Sequence, residues 1–372
     1  MAANQPQKRL KRGRSFSQIH SRLMKFKNEI FIAMENLRTD RWITFCFVKI
    51  LHCNGAYACS FSKAWCKTQR NLDDVDENKR LIVLLPDLFD FEIITNFLEK
   101  GGDIENKMTD SQLTAFDRLI TFFENIDETS KKIEDARAKA FKGSSWAAVL
   151  GVHVLRQLAV SNEMMIDSGY ADHTSECPCG CRTPLRVGDN SIGHKDVWHG
   201  SLDIILGPVA VIAQSTDDLH EESSTEFEWK TGELEESRNQ IIAESIVFSF
   251  FQRTGLIPTL GIYSNEFKVF MYDPHYDLLY ESSELSLFDG RGDLKSTSVF
   301  ALWLVINHAQ FCTGVKSCHE TLGYIADFQS LVQKPALSIY ETELQRGGCK
   351  HEKSSVWKYS AFDVTGKYKI IE

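Results

Sequence analysis

The sequence predicts a mixed α/β protein, of the α/β or α+β class, from three observations. Strand-like segments at 197–206, 209–215 and 225–231 are followed by a long helical segment at 233–255 and then by further strands. Ahead of them, residues 15–143 mostly repeat apolar residues at three- and four-residue intervals, the period of a helix with one buried face. At 372 residues, 43% apolar and 25% charged, the chain is long enough to bury a core and to divide into two domains. Helix, three strands, helix, strands is the order of a mixed sheet flanked by helices.

The elements follow in order. Within residues 1–30, Lys8, Arg9, Lys11, Arg12, Arg14, Arg22, Lys25 and Lys27 face one acid, Glu29. Residues 1–14 therefore read as a separate basic tail: a solvated disordered arm, a nuclear-import patch or a phosphate-contacting arm. Between 15 and 143, "SQIHSRLMKFKNEIFIAMENL", "FEIITNFLEKG" and "DSQLTAFDRLITFFENIDETSKKIEDARAKAFKG" carry the helical period. Asp110 or Ser111 is the expected N-cap of the last, and Gly101-Gly102 the expected stop of the second. Cys46, Cys53, Cys59 and Cys66 in this region are spaced too widely for a C-x2-C metal pattern and read as small buried hydrophobes. The region carries no chemical constellation, and its helical surface is the expected place for protein partners. From 144 a second unit begins, with a broadly apolar helix, "SSWAAVLGVHVLRQLAVSNEMM", and a Cys-, Gly- and Pro-rich loop at 170–195. After the strands and the helix "ELEESRNQIIAESIVFSFFQRTG" come "IPTLGIYS", "FKVFMYD" and "DLLYESS" as strands and a helix at 297–310. The unit is expected to span 144–332, with 333–372 as a C-terminal extension.

Composition removes several functions. A net charge of −9 and a pI near 5.7 leave no generally basic surface, so any nucleic-acid site must be local. No apolar run is long enough for a membrane-spanning helix; "WITFCFVKIL" at 42–51 is short and holds Lys49. No apolar stretch directly follows the basic start, so a secretory signal is not expected. Ten cysteines in a chain this long, with no Asn-x-Ser/Thr acceptor, favour a reducing intracellular compartment, nucleus or cytoplasm.

Two stretches carry the chemistry. In "DVWHGSLDIILG" Asp203 interrupts a run that a buried strand would continue with Val or Ile. A buried acid is costly unless something cationic satisfies it. In "TEFEWKTG" alternation puts Glu226, Glu228 and Lys230 on one face and Phe227 and Trp229 on the other. If the two strands are neighbours, Asp203 and Glu228 converge as hard oxygen ligands for Mg2+ or Mn2+, with Lys230 beside them. That set suits phosphodiester hydrolysis. The plain alternative is a solvent-facing ion pair on an edge strand.

Asp203, then Glu228-Trp229-Lys230, then a long helix with Asn239-Gln240 resembles the PD-(D/E)xK nuclease superfamily, the restriction-endonuclease-like fold. The resemblance covers about residues 145–310. It implies an αβββαβ core, Asp203 and Glu228 as metal ligands, Lys230 as the catalytic lysine and Gln240 as an accessory residue. It also implies a further acid from the preceding helix, for which Glu163 is the candidate. DNA or RNA is the implied substrate. Leu202 stands where the motif has proline, and Gln240 is followed by Glu244 where one branch has tyrosine. The stretch "DDLHEESSTEFE" at 217–228 has no Lys or Arg, which counts against tight, nonspecific DNA binding. A nuclease-derived fold that no longer cleaves and serves in binding or assembly is the rival expectation.

"ECPCGCRTP" places Cys177, Cys179 and Cys181 at alternate positions, with His173, His194 and His199 nearby. Three thiolates and an imidazole, His194 being the candidate, make a tetrahedral Zn2+ set, although structural zinc favours longer gaps between paired cysteines. A metal-free loop is the other reading. His199 reads first as a hydrogen-bonded structural histidine, and the aromatics of "FKVFMYDPHYDLLYES" as sheet packing.

Overall fold

Alternation of side chains along long strands divides this protein into two cores. On the strand Thr44–Cys53, Phe45 and Phe47 enter one buried cluster while Cys46, Val48 and Ile50 enter another. On Glu266–Asp273, Phe267, Val269 and Met271 face the first cluster, and Phe270 and Tyr272 the second. A sheet apolar on both faces must be covered on both, and helices do so.

The computed structural model describes residues 16–39, 43–71, 82–100, 107–137, 143–168, 176–214, 237–263, 265–315 and 323–349. In chain order they form α1 (Phe16–Leu23), α2 (Lys27–Leu37), β1 (Thr44–Cys53), β2 (Cys59–Ser60), β3 (Cys66–Arg70) and β4 (Val83–Leu84). Next come α3 (Leu85–Leu88), α4 (Phe91–Lys100), α5 (Asp110–Glu124), α6 (Ile126–Arg137) and α7 (Gly143–Leu150), which runs through a π-helical turn, Gly151–Leu155, into α8 (Arg156–Leu158). β5 (Met164–Asp167), β6 (Val187–Gly188), β7 (Ser191–Gly193), β8 (Trp198–Ser201), β9 (Ile204–Leu206) and β10 (Val209–Gln214) follow. The remainder is α9 (Arg238–Gln252), β11 (Ile257–Tyr263), β12 (Glu266–Asp273), β13 (Leu278–Ser282), β14 (Leu285–Ser286), α10 (Ser296–Ile306), α11 (His308–Phe311), α12 (Phe328–Thr342) and β15 (Gln345–Arg346).

Among the described residues the main sheet runs β3-β1-β13-β12-β11-β10-β9-β5-β6, with β4 beside β1 and β14 beside β12. β5, β9 and β10 pair antiparallel in turn, with Ile166 opposite Ile204 and Ile204 opposite Val211. β10 and β11 are parallel, Val211 opposite Leu260, and α9 lies between them in sequence, as a parallel pair requires a crossover. The second sheet, β15-β7-β8-β2, gathers three distant segments, the adjacent strands β7 and β8 being one of them. Trp198 fastens it by donating from Nε1 to Asn54 Oδ1 at 2.8 Å and stacking on Phe328.

The mixed α/β class stands, and several elements differ from the sequence reading: the region read as mainly helical also holds β1–β4, and the helix expected at 144–165 ends at Leu158, with β5 following. The expected strand 197–206 is two strands in different sheets, β8 and β9, with Leu202 and Asp203 at the break. A period-two pattern reads the same whether a strand continues or changes sheets at a bend. The expected boundary at 144 does not separate two sheets, because β1 pairs antiparallel with β13, Phe45 opposite Ser282. The cap of α5 is Thr109, whose Oγ1 accepts from Gln112 N while Gln112 Oε1 accepts from Thr109 N, a reciprocal capping box. The expected strand at 225–231 and the expected stop at Gly101-Gly102 lie outside the described residues. Among those described, no helix is long and apolar enough to cross a membrane.

One buried ion network ties α9 to the sheet. Glu281 on β13, 1% exposed, accepts from Arg238 Nη2 at 2.6 Å and Arg70 Nη2 at 2.8 Å, with Lys268 Nζ at 3.6 Å. Burial pushes this carboxyl up, but the guanidiniums of Arg238 and Arg70 outweigh it and hold the pKa down at about 2.

Candidate metal centre

The centre is built from one helix and one tight loop. The π-helical turn at Gly151–Leu155 changes the direction in which α7 presents its following side chains, and His153 lies within it, 8% exposed. Gly151 allows close approach to the sheet: a Cβ there would stand 3.2 Å from Ile204 Cδ1 and from Met164 Sδ. The loop closes on itself through Cys177 N to Thr183 O at 2.8 Å and an isolated bridge between Glu176 and Pro184. Gly180 (φ 91) and Arg182 (φ 58) take the left-handed backbone that so short a turn requires.

The loop brings three sulfurs to His153. Nε2 lies 3.2 Å from Cys179 Sγ, 3.5 Å from Cys181 Sγ and 3.7 Å from Cys177 Sγ, and Cys177 and Cys179 Sγ are 3.4 Å apart. All four ligand atoms lie within 4.8 Å of one another. A tetrahedron with Zn–S about 2.3 Å and Zn–N about 2.05 Å has ligand–ligand edges of about 3.5–3.8 Å. The four atoms fit that figure to within a few tenths of an ångström for the separations given. They can therefore hold a metal such as zinc.

The electrostatics agree. Burial, aided by the charge of Lys132, lowers the His153 pKa, so its imidazole is the neutral form that a metal needs. Burial pushes the Cys177 thiol up. Burial also works against Cys181, but hydrogen bonding to Thr183, whose Oγ1 lies 3.1 Å from its Sγ, outweighs it and lowers the thiol. Cys181 N donates to Cys179 Sγ at 3.4 Å, a bond that favours thiolate. Lys132, paired with Glu128 at 2.6 Å, is raised by that hydrogen bond and further by Cys181 and Cys179. It supplies positive charge beside a set that three thiolates and a divalent ion leave net negative.

The fourth ligand differs from the sequence reading. His194 is not in the cluster; it follows β7, with Nδ1 accepting from Asp196 N at 3.3 Å. His153 precedes Cys177 by 24 residues in an apolar helix, where a lone histidine reads as core. His173 lies outside the described residues.

The Asp203 site is partly visible. Asp203, 1% exposed, accepts Ala213 N at Oδ2, 2.7 Å, and its carbonyl accepts Asp167 N at 2.9 Å. Glu244 on α9 is likewise 1% exposed, and its pKa is raised well above the carboxylate range by burial and by Asp203. Gln240 Nε2 donates to Glu244 Oε1 at 2.7 Å, and Glu244 Oε2 has no hydrogen-bond partner among the described residues. Glu163 is not gathered there. Its carbonyl accepts Gly207 N, at the far end of β9, and its side chain is exposed. Glu228 and Lys230 lie outside the described residues. His199 is buried, with Nδ1 2.9 Å from Val197 O. No protein-family model, curated protein or solved structure matches the chain.

Proposed function

We propose that the chain is a metal-dependent phosphodiesterase of the nuclease class, acting on DNA or RNA, with a separate structural Zn2+ at His153, Cys177, Cys179 and Cys181. The observation that carries the reading is the buried pair Asp203 and Glu244, steered by Gln240, with one Glu244 oxygen unpartnered. Two facing buried carboxylates are relieved by a proton or by a hard divalent cation. With β6, β7 and β8 set aside as an insertion between β5 and β9, the remaining order α7–α8, β5, β9, β10, α9, β11 is compatible with the αβββαβ core that the PD-(D/E)xK resemblance implies. In this reading Asp203 and Glu228 hold Mg2+ or Mn2+, Lys230 assists the attacking water, and Gln240 fixes Glu244 so that its unpartnered oxygen serves as a further ligand. The ion supplies polarisation of a phosphate oxygen and an acidified water.

Glu244→Gln separates a site from a packing accident. Glutamine keeps an oxygen for the Gln240 contact and removes a carboxyl that must take up a proton or stay charged when buried, so stability at pH 7 should rise by about 1–3 kcal/mol. Mn2+ should stabilise the parent in thermal melts and leave the variant unchanged. Parent protein that cuts neither single- nor double-stranded DNA nor RNA with Mg2+ or Mn2+ would defeat the reading. A Lys230→Ala protein that cuts as well as the parent would remove Lys230 from it.

A second reading, a zinc-stapled module that binds without cleaving, is favoured by the hydrogen bond that already occupies Asp203 Oδ2. Calorimetric titration with Mn2+ distinguishes them, since this module should bind none at millimolar concentration.

A further inference from the structure

The geometry points to a mechanical link between the His153/Cys177/Cys179/Cys181 centre and Asp203: one bound ion ties together the two elements that hold this aspartate from opposite sides. The first is the chain leaving the cysteine loop. Arg186 O accepts Ile166 N at 3.0 Å and Gly188 O accepts Ser168 N at 2.8 Å, which pins this chain along β5. Asn190 then closes the connection. Its N donates to Asp167 Oδ2 at 2.9 Å, its Nδ2 to Met165 O at 2.9 Å, and its carbonyl accepts Leu202 N at 3.3 Å. Asp167 N in turn donates to Asp203 O at 2.9 Å. From Cys181 the path to the Asp203 peptide is short and runs through backbone and one buried carboxylate.

The second element is the helix that carries His153. Two residues before it, Gly151 sits against Ile204, the residue after Asp203. α7 packs on β10, whose Ala213 N–H holds the Asp203 carboxylate. The loop thus fixes the Asp203 backbone and the helix–strand pair fixes its side chain. In the described structure the contacts at this centre join loop to helix through groups that only a metal would hold strongly together, since neighbouring thiols bond weakly. An ion at this centre becomes a condition for the geometry of Asp203, so that supply of a soft divalent metal governs a site that does not bind it. The link rests on the metal reading of the centre and is independent of whether Asp203 serves in catalysis.

Hydrogen exchange read by mass spectrometry on the full chain tests it. Removing zinc with a chelator should speed exchange in peptides covering 164–168, 187–203 and 209–214 by about tenfold or more beyond whatever increase peptides covering 257–273 show from the loss of global stability. Restoring zinc should restore protection. Because metal-free protein can aggregate, Cys181→Ser, which alters the exposed ligand, is a second arm. At zinc that saturates only the parent it should show the same three peptides loosened. Zinc bound, with exchange in those peptides unchanged on its removal, would overturn the link and leave the centre standing. Equal acceleration in those peptides and in 257–273 would overturn it too, because the ion would then hold the entire fold and not this region. Protein that binds no zinc would overturn both.

Discussion

Stripping the metal, or replacing Cys177 by serine, should lower the unfolding free energy by about 4 kcal/mol at free zinc a thousandfold above its dissociation constant. Cys177 is the buried sulfur of the set, so serine there leaves a poor ligand with no water to replace it. The loss should be specific. Cys59, also buried but not a member of the cluster, should show no zinc dependence when changed to alanine. The pH dependence has a definite sign. The His153 pKa is depressed, so at neutral pH the imidazole carries no proton to displace. The Cys177 thiol is raised, so binding must expel its proton, and affinity should fall as pH falls from 8 to 6. Competition with a chelator of known affinity at the two pH values measures this, and equal affinities would contradict the thiolate assignment.

The second large effect belongs to Glu281. Removing it by Glu281→Ala leaves Arg238 and Lys268, both nearly buried, beside a cavity, and should cost about 3–5 kcal/mol. Its carboxyl is depressed from 4.5 to about 2, so the network contributes stability that is present above pH 4.5 and lost as pH falls toward 2. That depression corresponds to roughly 3 kcal/mol. Urea unfolding at pH 7 and pH 3 should therefore find the parent and Glu281→Ala converging at the lower pH. A double change, Glu281→Leu with Arg238→Met, should recover part of the loss, because apolar groups need no counter-charge. A single variant within 1 kcal/mol of the parent at pH 7 would show that the network is incidental.

Much of this architecture is legible from residue order. The α9 helix and β11–β13 fall where periodicity puts them, because long segments with two apolar faces or one have few alternatives. β1 is not legible as a strand: residues of both its faces are buried, so "TFCFVKIL" lacks the alternation that marks a half-buried strand. The break at Leu202–Asp203 depends on which sheet each half joins, a tertiary choice. At the metal centre the three cysteines announce themselves by local spacing. His153 does not, since it is brought in by a π-helical turn and a loop that meet only in the fold. Glu244 was visible only as a departure from the family pattern, and its role emerges from burial beside Asp203. Glu163, offered as the acid of the preceding helix, is not gathered at Asp203, because that helix ends at Leu158 and the β5–β9 register carries Glu163 to the other end of the strand.

X-ray absorption at the zinc edge, on full-length protein with its metal content measured in parallel, tests the central claim most directly. One zinc per chain is expected, with a shell of three sulfurs at about 2.3 Å and one nitrogen at about 2.05 Å, the nitrogen lost or replaced by oxygen in His153→Ala. Protein without zinc, a shell free of sulfur, or a His153→Ala spectrum identical to the parent's would contradict it.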